Sequence, residues 1–188
     1  MWRNTDSGWG WVNITIHWLT VLSVVGLFAL GLWMVELTYY EEGYNFAPTI
    51  HQSVGLLLFV LTLFRVIWRW QNVTPQPLST HRQFEKKIAS LAHKLIYVLL
   101  FLILISGYLI STADGRSISL FELFDVPATL YGIEQQEDVA GELHLILSIS
   151  LMLLVVMHAA GALKHHFMDK DATLKRMLNA NIINMREQ

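Results

Sequence analysis

Residues Leu143–Leu163 read LHLILSISLMLLVVMHAAGAL, an uncharged apolar run long enough to cross a bilayer as one helix. Two histidines punctuate it, His144 and His158, fourteen residues apart. At 1.5 Å of rise per residue they lie about 21 Å apart along the axis. Fourteen steps of about 100° return to within about 40° of the starting direction, so both imidazoles project from one face. One therefore belongs near each surface of a hydrocarbon core about 30 Å thick.

Three further stretches are long and apolar enough to span: about Val12 to Val35, Ile50 to Trp70 and Ile88 to Ile110. In lipid each satisfies its own backbone hydrogen bonds only as a helix. The whole chain of 188 residues is 54% hydrophobic and 15% charged, with mean hydropathy +0.43. A soluble domain carries roughly a quarter charged residues, so this composition excludes one. The first stretch is too long for a cleavable signal peptide, and no small-residue cleavage site follows a basic leader, so it is expected to be retained. The expected fold is an all-α membrane protein, one domain over residues 1–188, built as a four-transmembrane-helix bundle.

Charge gives the expected orientation. Of the 13 Lys and Arg residues, only Arg116 falls in the connections Glu36 to Ile50 and Ser111 to Glu142, which hold ten acidic residues. The other twelve lie in the N-terminal tail, at the facing ends of the second and third helices with their loop, or from Lys164 onward. The positive-inside rule then places both termini in the cytoplasm. Pro75-Gln76-Pro77 marks the inner turn, and Gly115 and Pro127 punctuate the long outer loop, where Leu120 to Phe124 is expected to form a short surface helix. Trp9, Trp11, Trp18, Trp68 and Trp70 all lie near helix ends, as interface anchors do.

With that orientation His17 lies in the inner leaflet, His51 in the outer, His144 in the outer and His158 in the inner. The pairs by depth are His51 with His144, and His17 with His158. A single histidine in a membrane helix is as often a satisfied hydrogen-bonding group as a ligand. Four at two matched depths are harder to explain that way. Zinc or copper would need three or four ligands converging on one point, which two pairs about 21 Å apart cannot supply. No cysteine occurs in the chain, which excludes covalent haem attachment, cysteine-bound iron–sulfur clusters and disulfides. The pattern points to two non-covalent haem b groups with bis-imidazole ligation. Gly55 and Gly161, near His51 and His158, would leave room for a flat macrocycle, although ordinary helix packing explains them equally well.

His93 occupies the same inner depth as His17 and His158. Depth alone makes it a rival ligand to His17, a partner for a haem propionate, or a proton donor, with Lys94, at a quinone site. His165 and His166 follow Lys164 at the membrane boundary and read as solvated, and His81 as an ordinary loop residue. Arg65, Arg69 and Lys94 are placed to meet inner propionates, and Arg116 is the one basic residue available outside. Arg65 and Arg69 also suit simple snorkelling to the interface. No phosphate-cradling glycine loop appears, and no nucleic-acid partner is expected.

Ile16-His17-Trp18, Ile50-His51-Gln52-Ser53-Val54-Gly55, Ile110-Ser111-Thr112-Ala113-Asp114-Gly115, the run from Met157 to His166 and the tail from Lys170 to Met177 resemble the bacterial cytochrome b561 family. The likeness runs from about Trp11 to Met177. It implies two b-type haems in the bacterial inner membrane, with ligands falling on His17, His51, His144 and His158. It favours His17 over His93, and it implies electron exchange with ubiquinone or another quinone. Four-helix dihaem cytochromes of this type also serve as membrane subunits of nickel–iron hydrogenases and formate dehydrogenases, and some family members oxidise superoxide at the periplasmic face. The acidic outer loops repel an anion such as superoxide and suit a basic periplasmic redox protein better. Three functions therefore stand: a self-standing quinone-linked oxidoreductase, an electron-carrying anchor for a larger dehydrogenase or hydrogenase, and a haem- or metal-handling protein without redox turnover. The compact length favours the first.

Overall fold

The computed structural model describes residues 1–78 and 80–180. Arg186, counted above among the inner charges, lies outside them. Four long helices form, α1 (Trp11–Met34), α2 (Gly43–Trp70), α3 (Gln83–Ser111) and α4 (Gln136–Phe167), with a short α5 (Thr173–Arg176). All four are long and apolar enough to cross a membrane. Their outer surfaces carry bare aliphatic side chains, Leu22 at 68% and Leu153 at 63% exposed among them. Water would not tolerate so much exposed apolar area, whereas lipid is its proper solvent.

α2, α3 and α4 outrun their apolar cores, while α1 matches its own to within one residue at each end. Gly10 precedes α1, where a Cβ would sit 2.3 Å from the Trp2 carbonyl oxygen, so only glycine fits. The Glu85 carboxylate reaches back to the Arg82 backbone N–H at 2.9 Å, half of a capping box that starts α3 five residues before its apolar run. α2 begins seven residues early and accepts Pro48 in its second turn. Glu137 and Asp138 open α4, while Lys164, His165 and His166 close it, each sign matching the helix dipole.

The described chain forms two compact units, each containing a piece of all four helices. One comprises Met1–Thr20, Leu61–Ile96 and the chain from Leu153 onward. Here the N-terminal segment is stitched to the α2–α3 connection by Asn4 to the Val73 carbonyl (3.0 Å) and Gln76 N–H to the Asp6 carbonyl (2.9 Å). Arg176 donates to the carbonyls of Ser7 and Gln76, and the Trp18 indole donates to Met177 at 2.8 Å.

The second unit comprises Val21–Val60 and Tyr97–Met152. Its polar interior includes the small residues Ser53, Ser106 and Thr112, which permit close helix approach, and Ser106 and Thr112 bond locally. The surface helix expected over Leu120 to Phe124 is not there. Ile118–Leu120 (β1) and Phe124–Val126 (β2) instead pair antiparallel, Ile118 opposite Val126. Phe121 and Glu122 turn the chain with φ of 48° and 61°, in a three-residue loop between the paired Leu120 and Phe124. The buried Ser53 hydroxyl holds this turn, accepting from the Phe121 N–H at 3.1 Å and donating to the Ser119 carbonyl at 3.4 Å. β-Branched Ile118 and Val126 at the ends of a period-two pattern outweigh the apolar run between them.

Candidate functional site

His51 and His144 are each the ninth residue of their helix, and the structure brings their rings to 6.2 Å between centroids at 66°. In the other unit His17 of α1 and His158 of α4 stand 6.5 Å apart at 65°. A metal between two imidazoles, bonded at about 2 Å to one nitrogen of each, sets the ring centres roughly 6 Å apart. Both pairs have room for one iron.

The second nitrogens decide which atom is left for the metal. His144 Nδ1 lies 3.0 Å from the Ile103 carbonyl oxygen and 3.0 Å from Ser106 Oγ. Only a protonated Nδ1 can donate to a carbonyl, so Nε2 keeps its lone pair free, the arrangement a metal-binding histidine requires. His51 Nδ1 is buried with no hydrogen-bond partner among the described residues. His17 Nδ1 has the Arg65 guanidinium at 3.1 Å.

Two glycines that sequence reasoning passed over touch the rings. A Cβ on Gly31 of α1 would sit 3.3 Å from His51 Cε1, and one on Gly107 of α3 would sit 3.1 Å from His144 Cε1. The glycines singled out from sequence, Gly55 and Gly161, have open space where a Cβ would go, with nothing within 4 Å. Gly31 and Gly107 lie near the C-terminal ends of α1 and α3, whereas His51 and His144 lie near the N-terminal ends of α2 and α4.

The remaining candidates fall in place as follows. The His93 ring stands 5.1 Å from that of His158, and His93, Lys94 and Arg69 are exposed. Arg116 is exposed and joined to Asp114 through Nε and through its backbone N–H at 3.0 Å. That backbone donor first, then the guanidinium, hold the Asp114 carboxyl below the usual carboxylate range. Both residues line a polar cavity of about 280 Å³ with Gln52, Ser111 and Glu137.

His81 and His165, read as ordinary from sequence, are neither isolated nor freely solvated. Their rings stack at 4.2 Å, and His81 Nε2 lies 2.8 Å from Asp171 Oδ2.

A family model described as prokaryotic cytochrome b561 matches residues 8–180. The chain is 51% identical over 175 residues to cytochrome b561 homolog 2 of Escherichia coli (strain K12), covering 93% of each. It is 29% identical over 175 residues to the probable superoxide oxidase CybB of Yersinia pestis, covering 89% of this chain and 93% of that one. To cytochrome b562 of Cereibacter sphaeroides it is 29% identical over 178 residues, covering 92% and 96%.

Proposed function

The chain belongs to the prokaryotic cytochrome b561 family, and on that premise we propose that it holds two b-type haems and exchanges electrons with the quinone pool. Membership makes it a multi-pass electron-transfer protein of the bacterial inner membrane in which histidines bind b-type haem. The dihaem reading rests on one observation, the two facing imidazole pairs at 6.2 and 6.5 Å. It takes residues 1–188 as one membrane domain with both termini cytoplasmic, a placement supported by the charge asymmetry of the loops.

Haem iron supplies a one-electron couple whose potential follows its axial ligands and their surroundings. The chain's own residues do the rest. His51 and His144 hold one haem and His17 and His158 the other. The Ile103 carbonyl fixes the tautomer of His144. Arg65, beside His17, offers a fork of donors to a carboxylate such as a propionate. A centroid distance of 5.1 Å from His158 is too short for a shared iron, which supports His17 over His93 as ligand. His93 and Lys94 then suit proton exchange with a quinone.

At the outer face we assign a one-electron partner. The 29% identity to a probable superoxide oxidase supports testing superoxide. The charge balance favours a basic periplasmic redox protein, since the outer connections hold ten acidic residues against Arg116 alone, and Asp114 already engages it. Ubiquinol added to the purified chain should reduce close to two b haems per chain, followed optically after haem is quantified. Two haems reducible by dithionite but not by quinol would overturn the quinone assignment, and a chain without haem would overturn the dihaem reading.

A further inference from the structure

Trp18 directly follows His17 on α1, and the two rings meet. Their centroids lie 5.4 Å apart at 76°, the edge-to-face arrangement that aromatic quadrupoles favour. Neighbours one residue apart on a helix point about 100° away from each other and do not ordinarily face. The indole is also held from a distance. Trp18 Nε1 donates to the Met177 carbonyl at 2.8 Å, across 159 positions of chain. One side chain therefore touches the imidazole through its ring and the α5 segment through its nitrogen.

The Met177 carbonyl is itself fixed. Its residue closes α5, with the Met177 N–H donating to the Leu174 carbonyl at 2.9 Å. Arg176, only 7% exposed, anchors that short helix. Its Nε and Nη2 donate to the Ser7 carbonyl, the first at 2.9 Å, and its Nη1 donates to the Gln76 carbonyl at 3.0 Å. Ser7 lies in the segment leading into α1 and Gln76 in the α2–α3 connection. A buried guanidinium is costly unless its donors are filled, so these carbonyls fix where Arg176 sits and, with it, Met177. An interface tryptophan needs only water or a lipid headgroup for its N–H, and that role leaves the locked carbonyl unexplained. His144 takes its orientation from the Ile103 carbonyl, whereas the ring of His17 is bounded by side chains, Arg65 at Nδ1 and Trp18 beside it.

We propose that Trp18 is a positioning residue for His17, and that the α5 segment holds it there through Met177 and Arg176. This rests on the reading of His17 and His158 as the ligands of one haem. Groups that touch a ligating imidazole set its ring plane, and the ring plane sets the electronic state of the iron it binds. Releasing Met177 frees the indole, and a freed indole lets the imidazole turn. The placement of the α5 segment thus reaches the His17 side of the pair through two contacts, with no residue of that segment touching a ligand.

The test uses the purified full chain, with haem counted first and the oxidised protein read by electron paramagnetic resonance. His17→Ala, which should lose one haem, identifies the signal to follow. Trp18→Leu should shift the g values of that low-spin haem and leave the other as in the parent. It should also weaken retention of the same haem, against a haem-free globin as competitor, by roughly tenfold or more. Trp18→Phe keeps an aromatic edge without the N–H, and Arg176→Gln loosens α5 with the indole intact, so both should shift the same signal by less. Arg176→Lys, which keeps the charge, should fall between Arg176→Gln and the parent. Unmoved g values in a two-haem Trp18→Leu protein overturn the positioning role. A shift in Trp18→Leu with none in Arg176→Gln overturns the part given to α5, and equal movement of both haem signals overturns the whole. Should Trp18→Leu lose the haem outright, Trp18→Phe is read in its place by the same criteria. Two haems retained in His17→Ala overturn the ligand reading itself, and this proposal with it.

Discussion

The His51–His144 pair and the His17–His158 pair have nearly the same ring separation and tilt, yet their surroundings differ. Around the first the neighbours are glycine and a carbonyl: Gly31 and Gly107 lie against the rings, and Ile103 accepts from His144. Around the second the neighbours carry charge or titrate: Arg65 sits on His17, and the His93 ring stands beside His158. One site is shaped by space and the other by electrostatics. A cation beside a redox centre stabilises its reduced form, so the Arg65 side should have the higher potential. On the proposed dihaem reading, electrons are then expected to run downhill from the His51–His144 site to the His17–His158 site.

The largest expected effect comes from removing a ligand on one side only. His144→Ala should leave one haem per chain in place of two, counted as pyridine haemochrome, with the signal of the other pair intact. Two haems retained in that variant would break the pairing, and with it the comparison. Next comes the space that glycine provides. In Gly107→Val the new side chain enters a contact already at 3.1 Å from His144 Cε1. Overpacking of this kind costs about 1–3 kcal/mol, enough to weaken binding of a haem at that pair by roughly five- to a hundred-and-fiftyfold. Gly161→Ala, whose Cβ meets nothing within 4 Å, should leave both haems in place. If the two variants behave alike, space is not what distinguishes the sites.

These two sites were not equally legible. Four spans could be read because lipid leaves the backbone no structure but a helix. Which histidines face each other followed from depth, since a residue's place along a span sets its height in the bilayer. Rotation about the helix axis is set by packing, not by hydropathy. For that reason Gly31 and Gly107, on the two helices opposite, went unread while Gly55 and Gly161 drew attention. The α2 helix begins at Gly43, beyond the reach of an apolar count, because polar residues and Pro48 extend it outside the hydrocarbon. The hairpin over Ile118 to Val126 was hidden by turn residues, Phe121 and Glu122, that rarely adopt positive φ and are held there by Ser53. The His81, His165 and Asp171 cluster depends on one reversal at Lys170, a residue with no turn signature.

Electrostatics sets the third prediction. Arg65→Gln removes a full charge beside His17 and should lower the potential of a haem held there by on the order of 50–100 mV, taking an effective dielectric near 20 and a charge-to-iron separation of roughly 7–14 Å. Arg65→Lys keeps the charge and should hold the potential near the parent value, although the forked geometry is lost. Potentiometric titration of the two haems separates these outcomes. An equal fall in both variants would mean that Arg65 acts by packing, and the contrast between a charged site and a spacious one would fail.

The smallest effect tests how firmly the glycine-flanked site is built. Ser106 and the Ile103 carbonyl both lie 3.0 Å from His144 Nδ1, but only the carbonyl is bound to be an acceptor. Ser106 Oγ also donates to Ile103 at 2.9 Å, so the hydroxyl supports the same carbonyl that orients the ring. In Ser106→Ala the ring keeps its main partner and its tautomer. A hydrogen bond contributes about 1 kcal/mol net, and only part of that differs between redox states, so the shift in potential should be at most a few tens of millivolts with both haems retained. A loss of haem, or a shift as large as that from Arg65→Gln, would show that the hydroxyl and not the carbonyl sets the ring. The two sites would then differ in which polar group governs them, not in whether one does.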